Sequence, residues 1–182
     1  MWFIVGGLVT VLHFFQVSIL KDSGLTSQQA AQLFSISAVA MIIAMPIAGR
    51  LFDAIRTRFM IAVTLVINAL ALTGITLVSD YSGAIAYAIT FGITNALMMT
   101  MFGYLWPRYF GRAHLGSIQG VGQMFGVVGA SLAPLPVGYA IDKLSTTTGV
   151  LRTLSAIEVA VAVVVVLFLV TPDGVDVPEG LE

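Results

Sequence analysis

Long apolar stretches alternate along the chain with short polar breaks, at an interval close to the width of a lipid bilayer. A membrane-spanning helix needs ~20 apolar residues, and six stretches reach that length, at about 1–20, 25–49, 59–78, 83–105, 115–141 and 150–170. The breaks between them read KDSG, DAIRTR, SDYS, PRYFGRAH and DKLSTTT. This pattern predicts an all-α integral membrane bundle of six transmembrane helices over 1–170, with no room for a soluble domain. The remainder, TPDGVDVPEGLE at 171–182, reads as a short acidic tail without the apolar content to fold.

Composition agrees with lipid as the solvent. The chain is 58% hydrophobic and 9% charged, against about 25% charged in soluble domains, too few charges to cover a globule in water. A net charge of −1 argues against a nucleic-acid partner, and the absence of cysteine excludes disulfides and thiolate metal sites. The first stretch lacks a basic leader and a small-residue cleavage site, so it is read as a span and not as a signal peptide.

Loop charge gives an orientation. Counting alternate connections, Arg50, Arg56, Arg58, Arg108 and Arg112 fall on one side, and Lys21, Lys143 and Arg152 on the other. The positive-inside rule then puts both termini in the cytoplasm, with the chain in the plasma membrane.

The second and fifth spans echo each other. Leu25, Ser27 and Gln29 match Leu115, Ser117 and Gln119 at an offset of 90, and Gly49 and Asp53 match Gly138 and Asp142 at an offset of 89. Both copies carry proline shortly before the glycine, Pro46 in one and Pro134 with Pro136 in the other. Three spans separate the copies, so the second runs the opposite way through the membrane. That arrangement is a 3+3 inverted repeat, on which many secondary transporters are built.

GRLFDAIRTR at 49–58 resembles the loop motif of the major facilitator superfamily, Gly-x-Leu-x-Asp-(Arg)-x-Gly-(Arg)-(Arg/Lys). Gly49, Leu51, Asp53 and Arg58 match it, Ala54 and Thr57 replace its usual basic positions, and Arg56 stands where a glycine is expected. YFGRAHLGSIQG is similar to the junction of the fourth and fifth helices in a C-terminal half of that family. LHFFQVSILKDSGLTSQQAA is similar to the seventh helix and following loop of monocarboxylate and oxalate/formate-type members. The intramembrane arginine and lysine of the oxalate carriers are absent here.

The resemblance implies one six-helix half of a twelve-helix transporter working by alternating access. Its partner would be the N-terminal six-helix half or a second copy of itself. An abrupt start at MWFIVGG favours a truncated chain over a self-pairing one. The motif is expected to stabilise one conformer by touching the opposite half. Within it, Gly49 and Gly138 are read as close-approach positions, and Asp53 and Asp142 as facing a neighbouring helix N-terminus. Arg56 and Arg58 mark the cytoplasmic copy.

Polar groups in a span are expensive and each needs a reason. His13 lies mid-span with Thr10 and Gln16 on the same face, where it could bind a substrate carboxylate or take a coupling proton. The resemblance places the first helix of each repeat along the cavity, which adds Asn95, with Thr90 and Thr94, in the fourth span. Gln119 and Gln123 share one face of the fifth, among glycines spaced for close helix packing. Glu158 is the one carboxylate deep in a span and should be protonated or paired; Arg152, six residues away, is not well placed for it. Asn68 with Thr64 reads as interhelical glue.

The substrate-binding candidates are therefore His13, Gln16, Asn95, Gln119 and Gln123, and the proton candidates His13 and Glu158. Secondary transport of a small solute is expected, an organic anion such as a monocarboxylate being one choice, with no cofactor and with a coupling ion such as H+. Drug efflux, sugar uptake, or a non-transporting assembly module stay open. No catalytic constellation is visible.

Overall fold

The computed structural model describes residues 2–111 and 114–169, and for residues 2–5 the backbone alone. The predicted tail at 171–182 and Arg112 lie outside that description. The described residues form helices joined by short connections: α1 (Trp2–Asp22), α2 (Ser27–Ala54), α3 (Thr57–Gly74) extended by a 3-10 turn (Ile75–Leu77), α4 (Tyr81–Phe110), α5 (Leu115–Leu132), α6 (Pro134–Leu144) and α7 (Thr147–Phe168). Among the described residues five units are long and apolar enough to cross a membrane: α2, α3 with its turn, α4, α5–α6 together, and α7. Without water inside a bilayer, backbone groups must bond within the segment, so apolar runs of this length are helices.

The helix ends have local causes. Thr26 caps α2 with a reciprocal pair: its hydroxyl accepts from the Gln29 amide at 3.2 Å, and Gln29 Oε1 accepts from the Thr26 amide at 2.9 Å. Asp80 and Thr146 cap α4 and α7 through the amides of Gly83 and Gly149. Gly24 (φ 88°) and Gly111 (φ 72°) end α1 and α4 in left-handed backbone that favours glycine. Replacing Thr26 with alanine is expected to cost about 1 kcal/mol, read as a lower unfolding midpoint in detergent with the fold retained.

Two boundaries differ from the sequence expectation. α2 runs five residues past Gly49, so GRLFDA is its last turns and not a loop. The fifth stretch is two helices that meet at Ala133, whose backbone stays helical (φ −64°, ψ −38°). Neither Pro134 nor Pro136 has an amide hydrogen to give, so two alternate links of the bond ladder, either side of Leu135, are lost there.

The most extensive packing is between α2 and α4, between α3 and α7, and between α1 and α5. At the α2–α4 crossing a Cβ on Gly92 would lie 2.8 Å from Ala40 Cβ and 3.1 Å from the Met41 amide, so only glycine fits. At the α1–α5 crossing Gly6 and Gly7 meet Gly126, Gly129 and Ala133. Gly122 receives the Trp106 indole from α4, whereas a Cβ on Gly116 or Gly120 would meet nothing. Of the two glycine pairs spaced for packing, the one at 122 and 126 is used within the chain and the one at 116 and 120 is not.

Buried apolar residues form two clusters. One gathers Leu12, Leu72, Ile75, Tyr87, Phe91 and Leu151; the other gathers Phe52, Met60, Leu65, Leu97, Met101 and Ala162. Along α3 and α7 the residues between the clusters include the buried polar side chains Asn68, Ser155 and Glu158. A polar layer thus crosses the middle of an otherwise apolar bundle.

Candidate functional site

α1 and α4 meet through a small aromatic and amide cluster. The His13 ring packs on Phe91 with centroids 4.7 Å apart, and Phe91 stacks on Tyr87 at 5.8 Å. The Tyr87 hydroxyl donates to Gln16 Oε1 at 3.1 Å. Because His13 pairs with Phe91 while Gln16 pairs with Tyr87, the two helices run antiparallel here. Asn95 lies one turn further along α4 on the same face, its Nδ2 donating to the Phe91 carbonyl at 2.8 Å.

Each polar member keeps a free function. His13 is exposed, and its Nδ1 stands 3.0 Å from the Val9 carbonyl. A carbonyl only accepts, so Nδ1 carries the hydrogen and Nε2 is left to face outward. Gln16 is buried, with Nε2 lacking a partner among the described residues. A buried amide donor without an acceptor costs about 1–3 kcal/mol. A carboxylate or carbonyl oxygen brought to it would remove that cost. The cluster can therefore take an acceptor-bearing group against an aromatic wall.

The five substrate candidates do not form one set. His13 and Gln16 meet Phe91 and Tyr87 of the α4 face that also carries Asn95, but Gln119 and Gln123 do not join them. α1 and α5 run parallel, as Gly6 against Gly126 and Phe15 against Gly138 require. Gln123 thus lies about ten residues, roughly 15 Å, along the axis from His13. Gln119 is half-buried and Gln123 exposed.

Glu158 is fully buried, and its partner is Asn68 on α3, whose Nδ2 donates to Oε1 at 2.6 Å. Arg152 is exposed and is not that partner. Ser155 adds to the seam by donating to the Ala69 carbonyl at 2.9 Å, with its oxygen 2.8 Å from Thr73 Oγ1. Thr64, expected beside Asn68 as glue, instead bonds the Met60 carbonyl of its own helix.

The loop motif makes little use of its own chain. A Cβ on Gly49 would meet nothing and one on Gly138 only the Phe15 ring at 3.5 Å, so the expected close approach is not made within the described residues. Asp53, Arg56 and Asp142 are exposed. The Arg58 guanidinium lies over Phe59 at 4.9 Å, and Arg108 over Tyr104, whose ring is 5.2 Å from Phe52. The ends of α2 and α4 are therefore neighbours.

Sequence reasoning missed Tyr87 and Phe91. Tyr87, Phe91 and Asn95 stand four residues apart on one helix face, a signal available in the sequence.

An all-helical bundle of membrane-length apolar helices, with polar side chains buried between two apolar clusters, defines a polytopic membrane protein. The family model for the Major Facilitator Superfamily matches residues 1–181, and the chain belongs to that superfamily. Its members move small solutes across membranes, which fixes the general function as membrane transport. No curated protein and no solved structure matches the chain significantly.

Proposed function

We propose that this chain is the C-terminal six-helix half of a secondary active transporter, built as a 3+3 inverted repeat and moving a small organic anion such as a monocarboxylate by alternating access. The observation that carries the reading is the pattern of helix pairs. Exchanging the first three spans with the last three turns the α1–α5 pair into the α4–α2 pair and returns the α3–α7 pair to itself. The His13 cluster then lies between the first helices of the two repeats, α1 and α4.

The partner is the N-terminal six-helix half. The second helices of the repeats, α2 and α5, are the least covered, with Ile42, Ile43 and Ile47 exposed on one and Phe125, Val128 and Leu132 on the other. An apolar groove of about 570 Å³ runs along α2 and α4, lined by residues such as Val39, Ile43 and Ile93. Faces of this kind suit a second bundle or lipid. With the arginines of the α2–α3 and α4–α5 connections in the cytoplasm, both termini are cytoplasmic and the membrane is the plasma membrane. The coupling ion is H+, carried by His13 or Glu158.

The unpartnered Gln16 amide, a buried donor without an acceptor, is what favours a solute carrying an acceptor oxygen, such as an organic anion. A thermal-stability screen of organic acids, sugars and drug-like compounds tests this. An organic acid should raise the unfolding midpoint, and His13→Ala should abolish the rise. A hit indifferent to every α1 and α4 substitution would sink the site, and absence of solute flux in proteoliposomes with the partner half would favour a non-transporting module.

A further inference from the structure

The buried pair on the flanking helices has an odd remainder. Asn68 and Glu158 share one hydrogen bond, Nδ2 to Oε1, while Glu158 Oε2 and Asn68 Oδ1 are both buried with no partner among the described residues. With the carboxyl ionised, both orphans are acceptors, and no donor among the described residues reaches either. The neighbouring hydroxyls are committed: Ser155 to the Ala69 carbonyl and Thr64 to the Met60 carbonyl. A single hydrogen on Oε2 would supply a donor where both orphans are acceptors, and Asn68 Oδ1, on the carboxamide that already holds Oε1, is an acceptor in want of one.

Among the described residues no charge stands ready to neutralise the carboxylate instead. On α3 the one ionisable side chain is Arg58, ten residues from Asn68, roughly 15 Å along the axis. On α7 Arg152 is exposed, and on α6 Tyr139, Asp142 and Lys143 are exposed as well. The 3-10 turn carries none. His13 and Tyr87 are occupied in the α1–α4 cluster described above. Two free oxygens are also too few for a metal cation such as Ca2+ or Mg2+, which takes about six or more oxygen ligands. An unpaired charge in the bilayer interior costs several kcal/mol, so the group that fits this seam is a proton.

We propose that Glu158 and Asn68 form a proton-binding site at the α3–α7 seam, in which Glu158 Oε2 takes one proton from water and donates it to Asn68 Oδ1. A hydronium ion gives its proton to the carboxylate and leaves as water, so no other reactant is needed. Bound, the proton ties α3 to α7 through that added bond; released, it leaves a charge between two apolar clusters and the seam loosens. Proton occupancy is thereby read by the flanking helix pair and not by the His13 cluster. This deepens the transport reading by choosing Glu158 over His13 as the coupling group, and it rests on that reading only for the use made of the proton.

Infrared spectroscopy of the full chain in lipid nanodiscs, titrated from mildly acidic to alkaline pH, tests the site without any transport assay. The C=O stretch of a protonated carboxyl group should be present, lost in Glu158→Gln and displaced in Asn68→Leu, which removes the acceptor. The unfolding midpoint of the wild type should fall as pH rises, and Glu158→Gln, neutral at every pH, should lose the part of that fall due to this group. A spectrum without a Glu158-dependent carboxylic-acid band overturns the proposal, as does stabilisation by Na+ that Glu158→Gln abolishes. Should Glu158→Gln fail to fold, a wild-type band unmoved by Asn68→Leu overturns it equally. A band that behaves as expected in a chain without solute flux would leave the proton site standing and remove the transport reading alone.

Discussion

Gly92→Val is expected to part α2 from α4 and to destabilise the bundle more than any other single substitution considered for this chain. A Cβ at position 92 already falls 2.8 Å from Ala40 Cβ and 3.1 Å from the Met41 amide, and it crowds the Ser37 carbonyl as well. Two of those three neighbours are backbone atoms, so relief requires a helix to move. Overpacking a tight core costs about 1–3 kcal/mol, occasionally more, and a branched side chain at a backbone contact belongs at the upper end. The unfolding midpoint in detergent should drop sharply, with Gly92→Ala in between. Gly103→Ala is the control: it lies on the same helix, its Cβ would meet nothing, and it should leave the midpoint unchanged or raise it slightly. Equal behaviour of the two alanine variants would show that the crossing is not tight.

Asp53→Asn should slow transport on the order of tenfold while leaving substrate affinity close to wild type. Asp53 is exposed in the last turn of α2 and makes no contact with the His13 cluster. Its charge has no assigned work within the described residues, so its role is read as a contact with the opposite half in one of the two conformers. Removing such a contact shifts the balance between conformers, and couplings of this kind are worth about 1–3 kcal/mol. Flux into proteoliposomes and equilibrium binding separate the two quantities. An unchanged rate with weakened binding would place Asp53 in the substrate site instead.

The helices were legible because their causes are local. Thr26 with Gln29, and the capping hydroxyl or carboxylate of Asp80 and Thr146, act over three residues. Pro134 and Pro136 withhold amide hydrogens at a fixed place. Part of the candidate site was legible for the same reason: Thr10, His13 and Gln16 share a face by helical period alone. The partners were not. Asn68 meets Glu158 across 90 residues, and Tyr87 meets Gln16 across 71. The equal spacing of Gly116–Gly120 and Gly122–Gly126 gave no way to choose the pair that the Trp106 ring and Gly6 occupy.

The sequence by itself determined a membrane-spanning helical chain, the rough extent of its helices, and the few polar side chains it carries into the apolar interior. Those follow from backbone hydrogen bonding, which in lipid has to be satisfied within about four residues of its origin. Only the tertiary structure decided which helices pair, that Phe91 lies against His13 and Tyr87 answers Gln16, and that Asn68 answers Glu158. Helical period orders side chains around one axis but carries no information about which neighbour lies against each face. In a bilayer, where the surroundings are as apolar as the core, that choice falls to close contacts at glycine and to the pairing of buried polar groups.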